Sequence, residues 1–563
     1  MRSPLTAAGT RSAPGWLQRF PGWWFTAAVL VAVAAVRLRL ADIPLERDEG
    51  EYAYTGQLML QGIPPYQLAY SMKFPGAATM YALVMAVFGQ TPAGIHLGVM
   101  CLTTLTALML YWLGNRILDP AAGMVAATSY AVMAATPDMM GLEGHATHFA
   151  AFFVTGAMCL MWKARQEFHW LQIAASGFAF GLAILMKQHA ALIAAWALVA
   201  FAAASFRRAG FSAGERLAAV AAFGAAVVLP FALCCLLLWM AGVFPKFWLW
   251  TVGYARQYET LHSVSQAGKW FGMRFPVAVS STFCLWLLAI VGLILIWFGE
   301  RFRGKRLWLA GFAGASALTV VPGFYFRLHY FLLVLPAVAL LAACGVAAVN
   351  QYWRERIGNP RLTHWPVIVY GLLLAAVFFN NRDIWLVQSP VSASRAIYTA
   401  ESFPEAQSVA AYIRANSPPD ARVAMLGSEP EIYFLSGRHS ATGYIYTYEL
   451  TERQPFARQM TREMIQEVET NAPEFVVFVE NPMSWDGPPG GHSSEFNSWW
   501  AAYRTQYDLI GLSQMVSPVE IRWIWGPAAA AQEHDANTTL ELYRRKHLAG
   551  GPQSHTNETI RAN

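Results

Sequence analysis

The chain has 563 residues, of which 56% are hydrophobic and 13% charged, and its mean hydropathy is +0.34. A water-soluble domain carries about 25% charged residues, so this composition excludes an ordinary soluble protein and points to a bilayer as solvent. The net charge of +6 lies mostly in loops between apolar runs, where it records topology and not a nucleic-acid footprint.

In chain order, about eleven apolar runs approach the roughly 20 residues needed to cross the hydrocarbon. They are Trp23–Leu40, Ile95–Leu113, Ala121–Ala135, His145–Trp162, Leu171–Met186, Ala190–Phe206, Leu217–Ala241, Val277–Phe298, Leu307–Pro322, Tyr330–Val349 and Trp365–Phe379. The first continues into charged sequence without a small-residue cleavage site, so it reads as an anchor and not a cleaved signal. All six cysteines (Cys101, Cys159, Cys234, Cys235, Cys284 and Cys344) fall inside apolar runs. They read as small buried hydrophobes, with no disulfide scaffold or metal knuckle.

Alternate loops carry the basic residues: Arg2, Arg11 and Arg19; Arg116; Lys163 and Arg165; Arg207, Arg208 and Arg216; Arg301, Arg303, Lys305 and Arg306; and Arg354, Arg356 and Arg361. These loops are expected in the cytoplasm, which puts the N-terminus inside and the C-terminus outside. Arg37 and Arg39 break the bias at the outer end of the first span. They either snorkel to headgroups or face a site.

The organisation expected is a transmembrane region over residues 1–380, an outer α/β domain over 381–527 and a disordered tail over 528–563. The first outer loop, 41–94, contains an amphipathic stretch, Glu49–Leu60, and an apolar stretch, Ala77–Phe88, too short to span and suited to the interface. A second outer loop, Val243–Phe275, is rich in Trp, Tyr and Phe. Beyond Asn380, Pro404–Asn416 and Glu429–Leu435 read as helices, and Arg422–Leu426 and Glu474–Val479 as strands. From Ala528 the chain turns polar and poor in aromatics.

The most informative segment is Arg47-Asp48-Glu49-Gly50-Glu51-Tyr52. Three acids within four residues beside a membrane are costly unless they serve a polar cavity. Such a carboxylate can act as a general base or hold a divalent ion; the alternative is a solvated loop capping the next helix. Gly62-Ile63-Pro64-Pro65-Tyr66 follows, then Met72-Lys73-Phe74-Pro75-Gly76, in which Lys73 is the only lysine of the loop. A lone ammonium there suits a phosphate or anchors the interface. In the second outer connection, Glu143, His145 and His148 are candidate metal ligands; equally, they are polar groups lining a cavity mouth. Metal dependence is left open.

The order DEGEYAY, GIPPY, MKFPG resembles the first outer loop of the GT-C glycosyltransferases, and within them glycosyltransferase family 39. That family includes protein O-mannosyltransferases and the aminoarabinose transferase that modifies lipid A. Gly144-His145-Ala146-Thr147-His148-Phe149, Leu185-Met186-Lys187-Gln188-His189, Phe326-Arg327-Leu328-His329-Tyr330-Phe331 and the SEPEIYFLSGR run within Ser408–Gly437 extend the likeness from Ala41 to about Gly443. The resemblance implies a polytopic helical fold and an inverting transfer of sugar from a polyprenyl-phosphate donor to an outer-face acceptor. It makes Asp48 the general base, with Glu49 beside it and Lys73 on the donor phosphate. It also places Arg327, His329 and Tyr330 near that phosphate; Lys187, at the outer end of a span pair, is a further candidate contact. Glu51, Tyr66, Asp138, Glu143, His145 and His148 complete the candidate lining. One departure concerns the second outer loop, where many relatives carry an acid before the histidine and this chain has Thr147; Asp138 or Glu143 would have to substitute.

A transporter or flippase for a lipid-linked or anionic substrate is the main rival, and a non-catalytic assembly protein the third reading. Transporters place ionisable groups near the midplane and often show paired repeats, whereas these charges cluster in outer loops. The nearest sequence pattern makes a bacterial inner membrane the expected location. Sugar and acceptor are not legible.

Overall fold

The computed structural model describes residues 22–546, apart from 167–168, 209, 358–364, 400, 488–492, 518–519 and 533–536. Arg2, Arg11, Arg19, Arg361 and the end of the expected tail therefore lie outside the described residues. The chain divides into two compact units, 1–399 and 400–563, some twenty residues later than composition suggested.

The first unit is helical and belongs to an integral membrane protein. Among the described residues, seven helical stretches are long and apolar enough to cross a membrane: Gly22–Arg39, Pro92–Ile117, Gln188–Phe206, Ala213–Met240, Val264–Leu295, Leu335–Arg356 and Trp365–Val387. The other four expected spans coincide with the helices Pro120–Met133, Ala146–Gln166, Trp170–Met186 and Arg306–Leu318. The eighth run differs in detail. The aromatic outer loop coils into helix well before Val277, and Val264–Val279 leads through a 3₁₀ turn, Ser280–Thr282, into Phe283–Leu295.

Local chemistry sets the helix starts. After α1 (Gly22–Arg39), the chain enters α2 (Arg47–Leu60) through a capping box: the Glu46 carboxylate accepts from the Glu49 N–H at 2.9 Å while Glu49 accepts from the Glu46 N–H at 3.3 Å. α3 (Gly76–Phe88) is the short apolar helix of the same loop. α4 (Pro92–Ile117) and α5 (Pro120–Met133) start with proline in the first turn behind Thr91 and Asp119 caps. α6 (Ala146–Gln166), α7 (Trp170–Met186), α8 (Ala191–Phe206) and α9 (Ala213–Met240) follow, with α7 packed against both α6 and α9. Gly177 and Gly181 let α7 and α9 approach: a Cβ at either would collide with the Phe223 or Val227 carbonyl of α9.

Arg37 resolves the anomaly at the outer end of α1. It neither snorkels nor faces a ligand; its buried guanidinium donates to the carbonyls of Ala134 and Gly141 at 2.7 Å and of Leu142 at 3.3 Å. It thereby holds in place the turn that leads to Glu143 and His145.

The second unit is a six-stranded mixed sheet in the order β2-β1-β3-β6-β4-β5. β1 (Arg422–Leu426) pairs in parallel with β2 (His439–Ser440) and β3 (Phe475–Val479). β4 (Tyr507–Ser517), β5 (Glu520–Trp525) and β6 (Thr538–Arg545) form the antiparallel half. The five residues of β3 are all buried, so helices cover both faces there. The expectation of disorder from Ala528 is corrected here. β6 lies between β3 and β4 and is buried on both faces from Thr538 to Tyr543, its polar residues having masked the strand by composition.

Candidate active site

The start of α2 distributes three acids, Asp48 and Glu49 in its first turn and Glu51 just after, over two sides of one helix. Asp48 and Glu51, three residues apart, share a face; Glu49 is turned away from both. A helix N-terminus favours carboxylates electrostatically, and the capping box leaves the side chains of Asp48 and Glu51 free to point elsewhere.

On the first side, the Lys73 ammonium donates to Asp48 Oδ1 at 2.7 Å and to Glu51 Oε2 at 2.5 Å, and lies 4.7 Å above the Tyr52 ring. Ser71 Oγ donates to Glu51 Oε1 and accepts from the Lys73 N–H at 3.0 Å. The loop holding the lysine is anchored twice more. Tyr66, at φ 69° in the left-handed region uncommon for a large residue, donates its hydroxyl to the Lys73 carbonyl at 2.7 Å and packs its ring on Phe247. Gln188 donates to the Met72 carbonyl at 3.2 Å. Tyr66 is thus a scaffold under Lys73 and not a lining residue.

Opposite Asp48 stand two imidazoles. His329 Nε2 lies 3.8 Å from Asp48 Oδ2, and the His145 ring stacks on that of His329 at 4.3 Å. Burial pushes His145 down to about 4 and His329 well below its usual range, so both rings are neutral at neutral pH. Burial by itself would raise the Asp48 carboxyl. The field and hydrogen bond of Lys73, together with the fields of His329 and His145, outweigh it and hold Asp48 well below the ordinary carboxylate range. Asp48 is 22% exposed in its side chain, so it faces a space that a substrate can enter.

Lys187, just beyond α7, places its ammonium 4.3 Å over the Tyr330 ring. Burial lowers its pKa to about 8, and the fields of Asp48, Lys73 and Arg327 all reach it. Arg327 donates to the Tyr258 hydroxyl at 3.3 Å and lies 5.4 Å from the Tyr325 ring, which stacks on Tyr258 at 4.5 Å. Lys73, Lys187 and Arg327 therefore surround one region, with Tyr330 and His329 between them. The sequence positions of these groups span about 260 residues.

Glu49 belongs to a different environment. It is fully buried, and its Oε1 accepts from the Gly144 N–H at 2.6 Å, from Tyr81 at 3.3 Å and from His96 Nε2 at 3.1 Å. His96 Nδ1 faces the Ala41 carbonyl at 2.7 Å; both partners are acceptors, so both ring nitrogens donate. This carboxylate has no path to a substrate, which corrects its assignment beside Asp48 as catalytic: it fastens α2 to α4 and to the loop before α6. His96 and Tyr81 were missed in the sequence. A histidine inside an apolar run was the available signal for the former.

Two further candidates move. Asp138 is engaged by Ser280 Oγ and the Ser281 N–H, both at 2.7 Å, so it ties the turn Pro137–Met139 to Ser280–Thr282 and does not line the site. Among the described residues, the metal-capable group is Asp48, His145 and His329, whose ligand atoms lie within 4.8 Å of one another. Of the candidate ligands Glu143, His145 and His148, only His145 belongs to it. Glu143 and His148 are buried with no hydrogen-bond partner on their side-chain polar atoms among the described residues, and burial raises Glu143 to about 7. Two imidazoles and a carboxylate are donors that zinc accepts, although Lys73 already occupies one oxygen of the carboxylate.

Residues 73–233 match the family model described as dolichyl-phosphate-mannose-protein mannosyltransferase. Among solved structures, ArnT from Cupriavidus metallidurans bound to undecaprenyl phosphate aligns over 96% of this chain and 100% of its own, with 15% identity and a TM-score of 0.56. The same enzyme in the apo state aligns over 92% and 98%, with 15% identity and a TM-score of 0.52. The chain has the GT-C fold and resembles glycosyltransferase family 39. No curated protein matches the sequence. Within this fold the family-model match opens at Lys73, the residue that bridges the two acids of α2.

Proposed function

We propose that the protein transfers a sugar from a polyprenyl-phosphate donor to an acceptor at the outer membrane face, with inversion and with Asp48 as general base. The observation that carries this reading is the Asp48–Lys73 pair at 2.7 Å, between the first turn of α2 and the loop before α3, facing Lys187 and Arg327. ArnT, the fold relative, binds undecaprenyl phosphate, and a phosphate-bearing lipid is what three convergent cations suit.

The pairing also suggests how the base is armed. Without donor, Lys73 shares its single positive charge between Asp48 and Glu51. A donor phosphate competes for that ammonium, and a carboxylate that shares its counter-ion loses stabilisation of its charged form, so its pKa rises and its proton affinity grows. Asp48 takes the acceptor proton as the acceptor oxygen attacks the anomeric carbon. The bond to the lipid phosphate breaks, and Lys73, Lys187 and Arg327 hold the charge that develops on it. A divalent ion on Asp48, His145 and His329 would add Lewis-acid polarisation.

The N-terminus is placed in the cytoplasm and the second unit outside, on the loop charges. The test is turnover of purified Asp48→Asn protein with a panel of polyprenyl-phosphate sugars. Consumption of donor by the wild type and none by the folded variant is expected; full activity in Asp48→Asn would move the base elsewhere.

A further inference from the structure

A second cavity, of about 660 Å³, lies at the far end of α8 from the site. α8 begins next to Lys187 and ends at Phe206, so its 16 residues carry the chain about 24 Å away at 1.5 Å per residue. We propose that this cavity binds the phosphate headgroup of an anionic phospholipid, on the face that the loop charges assign to the cytoplasm.

Its lining divides by chemistry. Among the described residues, Arg207, Arg208 and Arg306 supply three guanidiniums and no acid lines the cavity; Arg208 also donates to the Ala164 carbonyl at 3.4 Å. Trp196, Val199 and Leu307 supply the apolar part, which suits an acyl chain. Neighbouring cations are committed elsewhere: Arg301 pairs with Asp119 at 2.7 Å, and Lys305 donates to the Ile117 carbonyl at 2.6 Å. Arg207 and Arg306 carry no ion pair among the described residues.

Two further features adjoin these cations. Trp308, 6% exposed and part of the lining, has an indole N–H with no acceptor among the described residues. A buried indole N–H ordinarily finds one. The helix Arg306–Leu318 opens at the cavity with no side-chain cap, and an uncapped N-terminus favours an anion. Arginine forks match phosphate oxygens, and the fused apolar wall distinguishes a lipid from a free anion.

The full chain, purified in detergent, is titrated with phosphatidylglycerol, phosphatidylcholine or inorganic phosphate. The thermal unfolding midpoint and the lipid retained in native mass spectrometry are both read. Phosphatidylglycerol should raise the midpoint and stay bound, whereas phosphatidylcholine and phosphate should do neither. Arg207→Gln/Arg306→Gln should weaken phosphatidylglycerol by roughly tenfold, and Trp308→Phe, which keeps the ring, by less. Should the double variant not fold, Arg306→Gln alone is compared with Trp308→Phe. Equal retention of both lipids by the wild type, or undiminished phosphatidylglycerol binding in the arginine variants, overturns the proposal. Stabilisation by phosphate alone overturns the lipid assignment.

Discussion

The two sides of the start of α2 hold chemically similar groups in opposite environments. Toward the cavity, Asp48 and Glu51 share Lys73, with neutral imidazoles opposite. Toward the interior, Glu49 is enclosed by His96, Tyr81 and the Gly144 N–H. Both sides are charge-paired, but only the first leaves its carboxylate open to a substrate. The acids are neighbours in the chain, and the helical turn separates the working group from the one that keeps it in position.

If that division holds, the front-side variants fail in chemistry and the rear-side variants in stability. The largest effect is expected from Asp48→Asn, which should cost at least about 10³-fold in kcat, within the range of a positioned general base, with the Tm nearly unchanged. Lys73→Gln should follow. Losing a charge-assisted contact to the donor phosphate raises the donor KM by about 10- to 100-fold, read from initial rates against donor concentration. A Lys73→Gln enzyme with the wild-type KM would separate the lysine from the donor.

The rear side is tested by Gly144→Ala and Glu49→Gln. A Cβ at Gly144 would stand 2.5 Å from the Tyr81 hydroxyl, 2.9 Å from Val99 Cγ2 and 3.1 Å from Glu49 Oε1, so the alanine must displace Tyr81 and Val99 and crowd Glu49. Replacing Glu49 leaves His96 with a weaker acceptor, a loss of about 1–3 kcal/mol that lowers Tm by about 2–6 °C. Protein that remains folded should keep kcat within a few-fold. A thousandfold loss of kcat at unchanged Tm in Glu49→Gln would erase the distinction between the two sides.

This distinction was only half legible in the sequence. The spacing of Asp48 and Glu51 puts them on one helical face, and the bounds of α2 and α3 follow from periodicity and caps. Lys73 was singled out because it is the lone lysine of its loop. The stacking of His145 on His329 was not readable, since 184 residues separate them in the chain and only tertiary packing brings them together. Arg37 defied reading for the same reason: its partners are backbone carbonyls about 100 residues away, which leave no side-chain pattern. β6 was hidden because its buried residues include Thr538, Thr539 and Glu541, so that by composition it looks like a polar tail although both of its faces are covered.

The smallest expected effect is also the one most specific to the front side. Lys187 is a cation whose pKa burial lowers to about 8. A lysine with a depressed pKa is charged below that value and neutral above it, so donor capture should be intact at pH 7 and decline as pH rises through about 8. Because kcat/KM reports the free enzyme, the decline belongs in kcat/KM. Bound phosphate stabilises the ammonium and shifts its titration upward, so kcat should stay level to higher pH. Arginine keeps its charge throughout this range, and Lys187→Arg should abolish the alkaline limb of kcat/KM at the cost of a few-fold in its plateau. An alkaline limb that persists unchanged in Lys187→Arg would assign it to another group and leave Lys73 and Arg327 as the donor's cations.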